Sequence, residues 1–143
     1  MLENYVEAYE WLEKYAHTRV LHWLGLTELW LGLAATGQKN VSQSRLHLIR
    51  GLRSERNQYR KDAIPLGALL AYEAGDLERA VELLALSLDL GGYHAWTRHY
   101  PPLTRMHDDL KMRMPEAVFE AAWKRGKALD IEKTLDALQV EFA

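Results

Sequence analysis

Residues 67–90 read GALLAYEAGDLERAVELLALSLDL, and the Gly75-Asp76 pair inside them decides the fold class. Glycine just past the last periodic residue of a helix takes positive φ without steric cost, so it stops the helix that begins near Lys61 and runs to Ala74. The Asp76 carboxylate can accept from the free N–H groups that open the next helix, which runs to about Leu90. Within that helix Ala80 and Leu84 follow the cap at steps of four and so share one face. The small residue lets a neighbouring helix approach, and the leucine fills the groove beside it.

The same arrangement recurs upstream at a step of 36. Asn4, Asn40 and Asp76 sit at cap positions, Ala8, Ser44 and Ala80 align behind them, and Leu12, Leu48 and Leu84 align again. LGLAATG at 31–37 matches LLAYEAG at 69–75, which predicts a helix from about Arg19 to Thr36 stopped by Gly37, with a loop two residues longer than the one at Gly75. Helix, tight turn, helix at this length is close to the roughly 34 residues of the tetratricopeptide repeat. Past Leu90 the pattern breaks. Gly91-Gly92 ends a helix, and YHAWTRHYPP is expected to be an irregular loop because prolines at 101 and 102 forbid a helix running through. Three helices should follow: Pro102 to about Met112, one opened by Pro115 and ending near Gly126, and one from the cap Asp130 to Val140. Val118, Phe119, Ala122 and Trp123 should point inward, as should Ile131, Leu135 and Leu138. The expected fold is therefore all-α: a tetratricopeptide-repeat-like superhelix of antiparallel hairpins over about 4–90, a loop over about 91–101, and a helical cap over about 102–143, in a single domain.

Composition agrees. A hydrophobic share of 48% and a charged share of 27% belong to an ordinary globular chain of 143 residues, long enough to bury a core. A formal net charge of -2 argues against a nucleic-acid or membrane-surface binder. With no cysteine, disulfides and thiolate metal sites are excluded. The opening MLENYVEAYEWLEKY lacks the apolar core of a signal peptide, and Val20–Ala35 is interrupted by His22 and Glu28, so the expected location is the cytoplasm.

Residues 66–140 resemble the C-terminal end of large bacterial signalling ATPases: LuxR-type transcriptional regulators, regulators with a bacterial transcriptional activator domain, and ATPase-coupled nucleotide cyclases. Gly75, Asp76 and Ala80 match a repeat helix of that family. Phe119, Ala122, Trp123 and Gly126 match its E-x-x-F-x-x-A-W-x-x-G helix, and Leu129 matches just beyond it. The loop YHAWTRHY and the polar stretch SQSRLHLIRGLRSERNQYR depart from the pattern. The resemblance implies a P-loop ATPase and an output domain elsewhere in a longer chain. Here there is no G-x-x-x-x-G-K-[ST] and no compelling helix-turn-helix.

No catalytic motif is present: no G-x-S-x-G, no H-E-x-x-H and no nucleophilic cysteine. Glu7, Glu10 and Glu13 along the first helix read as solvated surface. His94 and His99, five apart in a loop, have no ligand spacing, and His17, His22 and His47 read as polar helix-face residues. Neither a cofactor nor a metal is expected. The strongest charge feature is residues 44–61, where Arg45, Arg50, Arg53, Arg56, Arg60 and Lys61 face only Glu55, a local net of +5 against about -7 elsewhere. It is either a solvated helix face or a docking stripe for an acidic partner, a neighbouring domain of a longer protein, or phosphate. Trp23, Leu26 and Trp30 lie on one helix face and read as core, whereas Trp96, beside Tyr93 and Tyr100, reads either as a plug in the end of the stack or as an exposed anchor. His22, Thr27, Tyr59 and Tyr72 are the expected lining of a concave groove formed by the first helix of each hairpin. The expected activity is binding: a non-catalytic interaction or ligand-sensing module of a signalling regulator, or a structural segment that self-associates. Its partners would be a protein or peptide, other domains of a longer regulator, or a second copy. Direct nucleic-acid and membrane binding are not expected.

Overall fold

The computed structural model describes residues 4–16, 24–53 and 57–143. They form α1 (Tyr5–Ala16), α2 (Leu24–Gly37), α3 (Val41–Leu52), α4 (Asn57–Arg60), α5 (Ala63–Glu73) and α6 (Leu77–Asp89). A 3-10 helix, η1 (Gly92–His99), leads into α7 (Pro101–Arg113), α8 (Glu116–Lys127) and α9 (Ile131–Glu141). No strand occurs among the described residues. The start of the helix expected from Arg19, together with His17, His22, Trp23 and Arg56, lies outside them, as does the side chain of Leu26.

The step of 36 is written into the backbone. Asn4, Asn40 and Asp76 each accept from the N–H three residues on, that of Glu7, Gln43 and Arg79, at 3.1–3.2 Å. At the turns, Asn40 N–H donates to Ala35 O and Asp76 N–H to Ala71 O, while Lys39 donates to Thr36 O and Gly75 to Tyr72 O. The two turns are thus equal in length, and the longer first loop expected from Gly37 is not there. Lys39, at φ 61, occupies the left-handed position that Gly75 takes at φ 81. Gly37 instead stays in α2, where a Cβ would run into the Tyr5 ring.

The hairpins α2/α3 and α5/α6 pack closely within themselves, and α2, α5 and α7 stand side by side. Residues 63–71 of α5 are all buried, which makes this helix the axis of the core. Ser44, Leu48, Ala80 and Leu84 are buried as their spacing requires. Ala8 is exposed, and Trp11 is 57% exposed, because no described helix covers the outer face of α1. On the far side α8 lies against α6, and Gly126 makes the approach possible, since a Cβ there would meet the backbone of Glu82. Phe119 and Ala122 are buried in this contact, but Val118 faces outward, against expectation.

One feature of the C-terminal third differs from the sequence reading. The expected loop is η1, an ordered 3-10 helix. Gly91 and Gly92 at positive φ turn the chain off α6, and the Thr97 hydroxyl donates to Ser87 O and His94 O. The prolines then open α7, in its first turn, where a missing N–H costs nothing. The last helix, α9, begins at its expected cap and folds back across α3 and α5. Leu135 and Leu138 are fully buried there, Leu138 packing on Gly67. Among the described residues no helix is long and apolar enough to cross a membrane.

Candidate functional site

Because α2, α5 and α7 are aligned, their outward faces form one open cleft of about 320 Å³. Its apolar floor is Leu33, Leu69 and Met106, and Tyr5, Tyr100 and Pro102 wall its ends. Leu33, Leu69 and Arg105 stand 36 apart, as do Gly37, Glu73 and Asp109, and all six line the cleft. The step therefore carries on through η1 into α7. This register was the available signal for the groove, and polarity alone missed it.

The polar groups of the groove are cross-linked. The Tyr72 hydroxyl donates to Asp109 Oδ2 at 2.5 Å, and Arg113 Nη1 reaches the same oxygen at 3.1 Å while its guanidinium lies over the Tyr72 ring. The Tyr72 and Arg113 bonds hold the Asp109 carboxyl below its usual range, and the bond to Asp109, helped by burial, pushes the Tyr72 phenol up. At the other end Lys39 Nζ pairs with Glu73 at 3.1 Å. Of the expected groove residues Tyr72 is in place. Thr27 and Tyr59 are half-buried away from the cleft, and His22 lies outside the described residues.

The basic stretch divides. Arg45 donates from Nε and Nη2 to Phe142 O at 3.4 Å and from Nη2 to Ala143 O at 3.3 Å. Arg60 pairs with Glu132 at 3.5 Å and Asp136 at 3.3 Å. Both therefore hold α9 of their own chain, and Arg79, paired with Glu141 at 2.7 Å, does the same from α6. Arg50 and Arg53 remain on the exposed face of α3, and Arg56 lies outside the described residues.

Trp96 is packed inward, its ring 5.2 Å from Trp30 and 5.5 Å from Tyr100, which is the plug arrangement. Beneath it lies Asp62, 1% exposed, just ahead of α5. Neither of its carboxylate oxygens has a well-formed hydrogen bond, nor does Trp96 Nε1, and His94 Nε2 stands 3.5 Å away. Burial pushes the Asp62 pKa up to about 6, with the nearby Trp96 indole N–H pulling the other way. Burial, with the Lys61 charge, pushes that of His94 down.

His47 is buried rather than on the helix surface. It bonds Tyr9 Oη at 2.9 Å and Glu28 Oε2 at 2.6 Å. Burial, with the charges of Glu13 and Glu28, raises the Tyr9 pKa. This Glu–His–Tyr chain links α1, α2 and α3. His107 packs edge-on to Phe119 and Trp123, at the side of a second cleft of about 440 Å³ between α6, α7 and α8.

No protein family model matches the chain, and neither the curated proteins nor the solved structures contain a match.

Proposed function

We propose that this chain is a non-catalytic interaction module, a short tetratricopeptide-repeat-like superhelix, whose groove takes an extended peptide segment of a protein partner. The observation that carries the reading is the lining of the groove by three successive first helices at one 36-residue register. An open trough with an apolar floor, aromatic ends and charges of both signs suits a main chain with alternating side chains better than a compact cofactor. The resemblance of residues 66–140 to the C-terminal region of bacterial signalling ATPases favours a role as the docking or sensing part of a larger regulator.

Peptides selected on the protein by display, then titrated calorimetrically, test this. Lys39→Glu/Arg105→Glu should weaken the selected peptides by about tenfold or more, or ~1.4 kcal/mol. Arg50→Glu/Arg53→Glu, on a different face, should leave them unchanged. Equal binding by the groove variant would remove the groove from the reading.

A second reading draws on the outer face of α1, where Val6 and Trp11 are more than half exposed. Such a face favours end-on stacking against further repeats or a second copy. Light scattering over a range of concentrations separates the readings: a monomer at every concentration rules out self-association through α1.

A further inference from the structure

Asp62 is an unusual residue to find at the centre of a helical stack. A buried carboxylate is tolerated when donors surround it, and among the described residues Asp62 has only the Trp96 indole N–H nearby and His94 Nε2 at 3.5 Å, neither in a well-formed bond. Two polar side chains stand beside it among the described residues. His94 and Trp96 both come from η1. Lys61, next to Asp62 in the chain, acts on His94, and Arg60 of α4 is turned to Glu132 and Asp136 of α9. α2 contributes Trp30, which does not ionise and packs at a tilt against Trp96. From α6, two backbone carbonyls hold η1, Ser87 O accepting from the Thr97 hydroxyl and Leu88 O from Arg98 Nε.

At eight residues η1 is also long for a 3-10 helix, whose hydrogen bonds are poorer than those of an α-helix, so its place depends on what it packs against. It leads directly into Tyr100 and Pro102, which wall the groove.

We propose that η1 is a proton-operated joint: protonated Asp62 donates its O–H to His94 and clips η1 to the start of α5, and ionised Asp62 loosens η1 and the Tyr100–Pro102 wall behind it. The proton is exchanged with solvent, and no other group need change its charge. The direction of both pKa shifts fits, because burial favours the neutral acid of Asp62 and the neutral imidazole of His94. The joint is independent of any ligand. Only its use, the adjustment of groove affinity by pH, rests on the binding function proposed above.

The test is nuclear magnetic resonance of the whole chain between about pH 4.5 and pH 8. The Asp62 side-chain carboxyl carbon should titrate with a midpoint near 6, and the Trp96 indole, Thr97 amide and Tyr100 amide should follow the same midpoint. Hydrogen exchange across residues 94–100, corrected for its intrinsic pH dependence, should be about tenfold slower on the acid side. In Asp62→Asn the titration of Trp96, Thr97 and Tyr100 should vanish, with α8 signals unchanged as the reference for folding. An Asp62 midpoint below about 4.5 overturns the proposal in the wild-type chain alone, whatever the variant does. So does an η1 that titrates as before in Asp62→Asn. If the joint titrates as expected while no peptide binds, the groove reading fails and the joint stands.

Discussion

Single residues carry the sharpest energetic statements, and Asp62 is the clearest. Its pKa is raised from 3.8 to about 6 on folding. Below about pH 3.8 both states are protonated and the group is neutral in the balance. Between 3.8 and 6 the unfolded chain ionises first, so stability falls as pH rises, and above 6 the loss is complete. A pKa displaced this far on folding corresponds to about 3 kcal/mol. Asp62→Asn is therefore expected to raise stability at neutral pH by up to about 3 kcal/mol, with the advantage shrinking towards zero near pH 4. Urea unfolding of both proteins at the two pH values measures it, and the difference between them cancels the other carboxylates. Nothing in the sequence marks Asp62, because the residues that face it arrive some thirty positions later in a segment read as a loop. His47 was opaque for the same reason: Tyr9 and Glu28 lie 38 and 19 residues away on other helices, where no spacing rule applies.

Elements were legible wherever their ends carry chemistry. The caps Asn4, Asn40, Asp76 and Asp130 all accept the backbone bond their type implies, and they set the starts of α1, α3, α6 and α9. The end of α2 was misjudged because Gly37 was credited with a turn that Lys39 makes, while its real task is to clear space for Tyr5. Gly126 shows the same use of a missing side chain. With Ala122 one turn before it, it lets α8 lie directly on α6, and Arg125 secures the crossing through Glu78 at 2.6 Å and Glu82 at 2.8 Å. Gly126→Ala should force the two helices apart and cost about 2 kcal/mol, more than the small gain in helix propensity returns. The lowered midpoint of a urea unfolding curve is the measurement, and an unchanged midpoint would show that the helices can slide at little cost.

At the scale of the molecule, the helical hairpins were legible because each one is local, and the return of α9 was not. The arginines of residues 44–61 read either as a solvated face or as a docking stripe, and Arg45 and Arg60 turn out to bond the chain's own last helix and C-terminal end. Glu132 and Asp136 of α9 are the acidic groups that Arg60 meets. Leu138, fully buried against Gly67, anchors that helix to the core. Leu138→Ala should cost about 3 kcal/mol and keep a single unfolding transition if α9 is part of the cooperative unit. Circular dichroism during denaturation distinguishes this from an early, separate loss of the C-terminal helix. The position of α9 also bears on how the chain reaches its fold. A plain repeat array joins neighbours only and can zip from any point. Here Arg45 meets Phe142 across 97 positions, and the wholly apolar run at 63–71 waits for Leu138 before its last side is covered. A ribosome that has made α5 therefore holds a sticky, unfinished protein until α9 emerges. Refolding should accordingly be slower than in a linear array of equal length, with aggregation competing at high concentration.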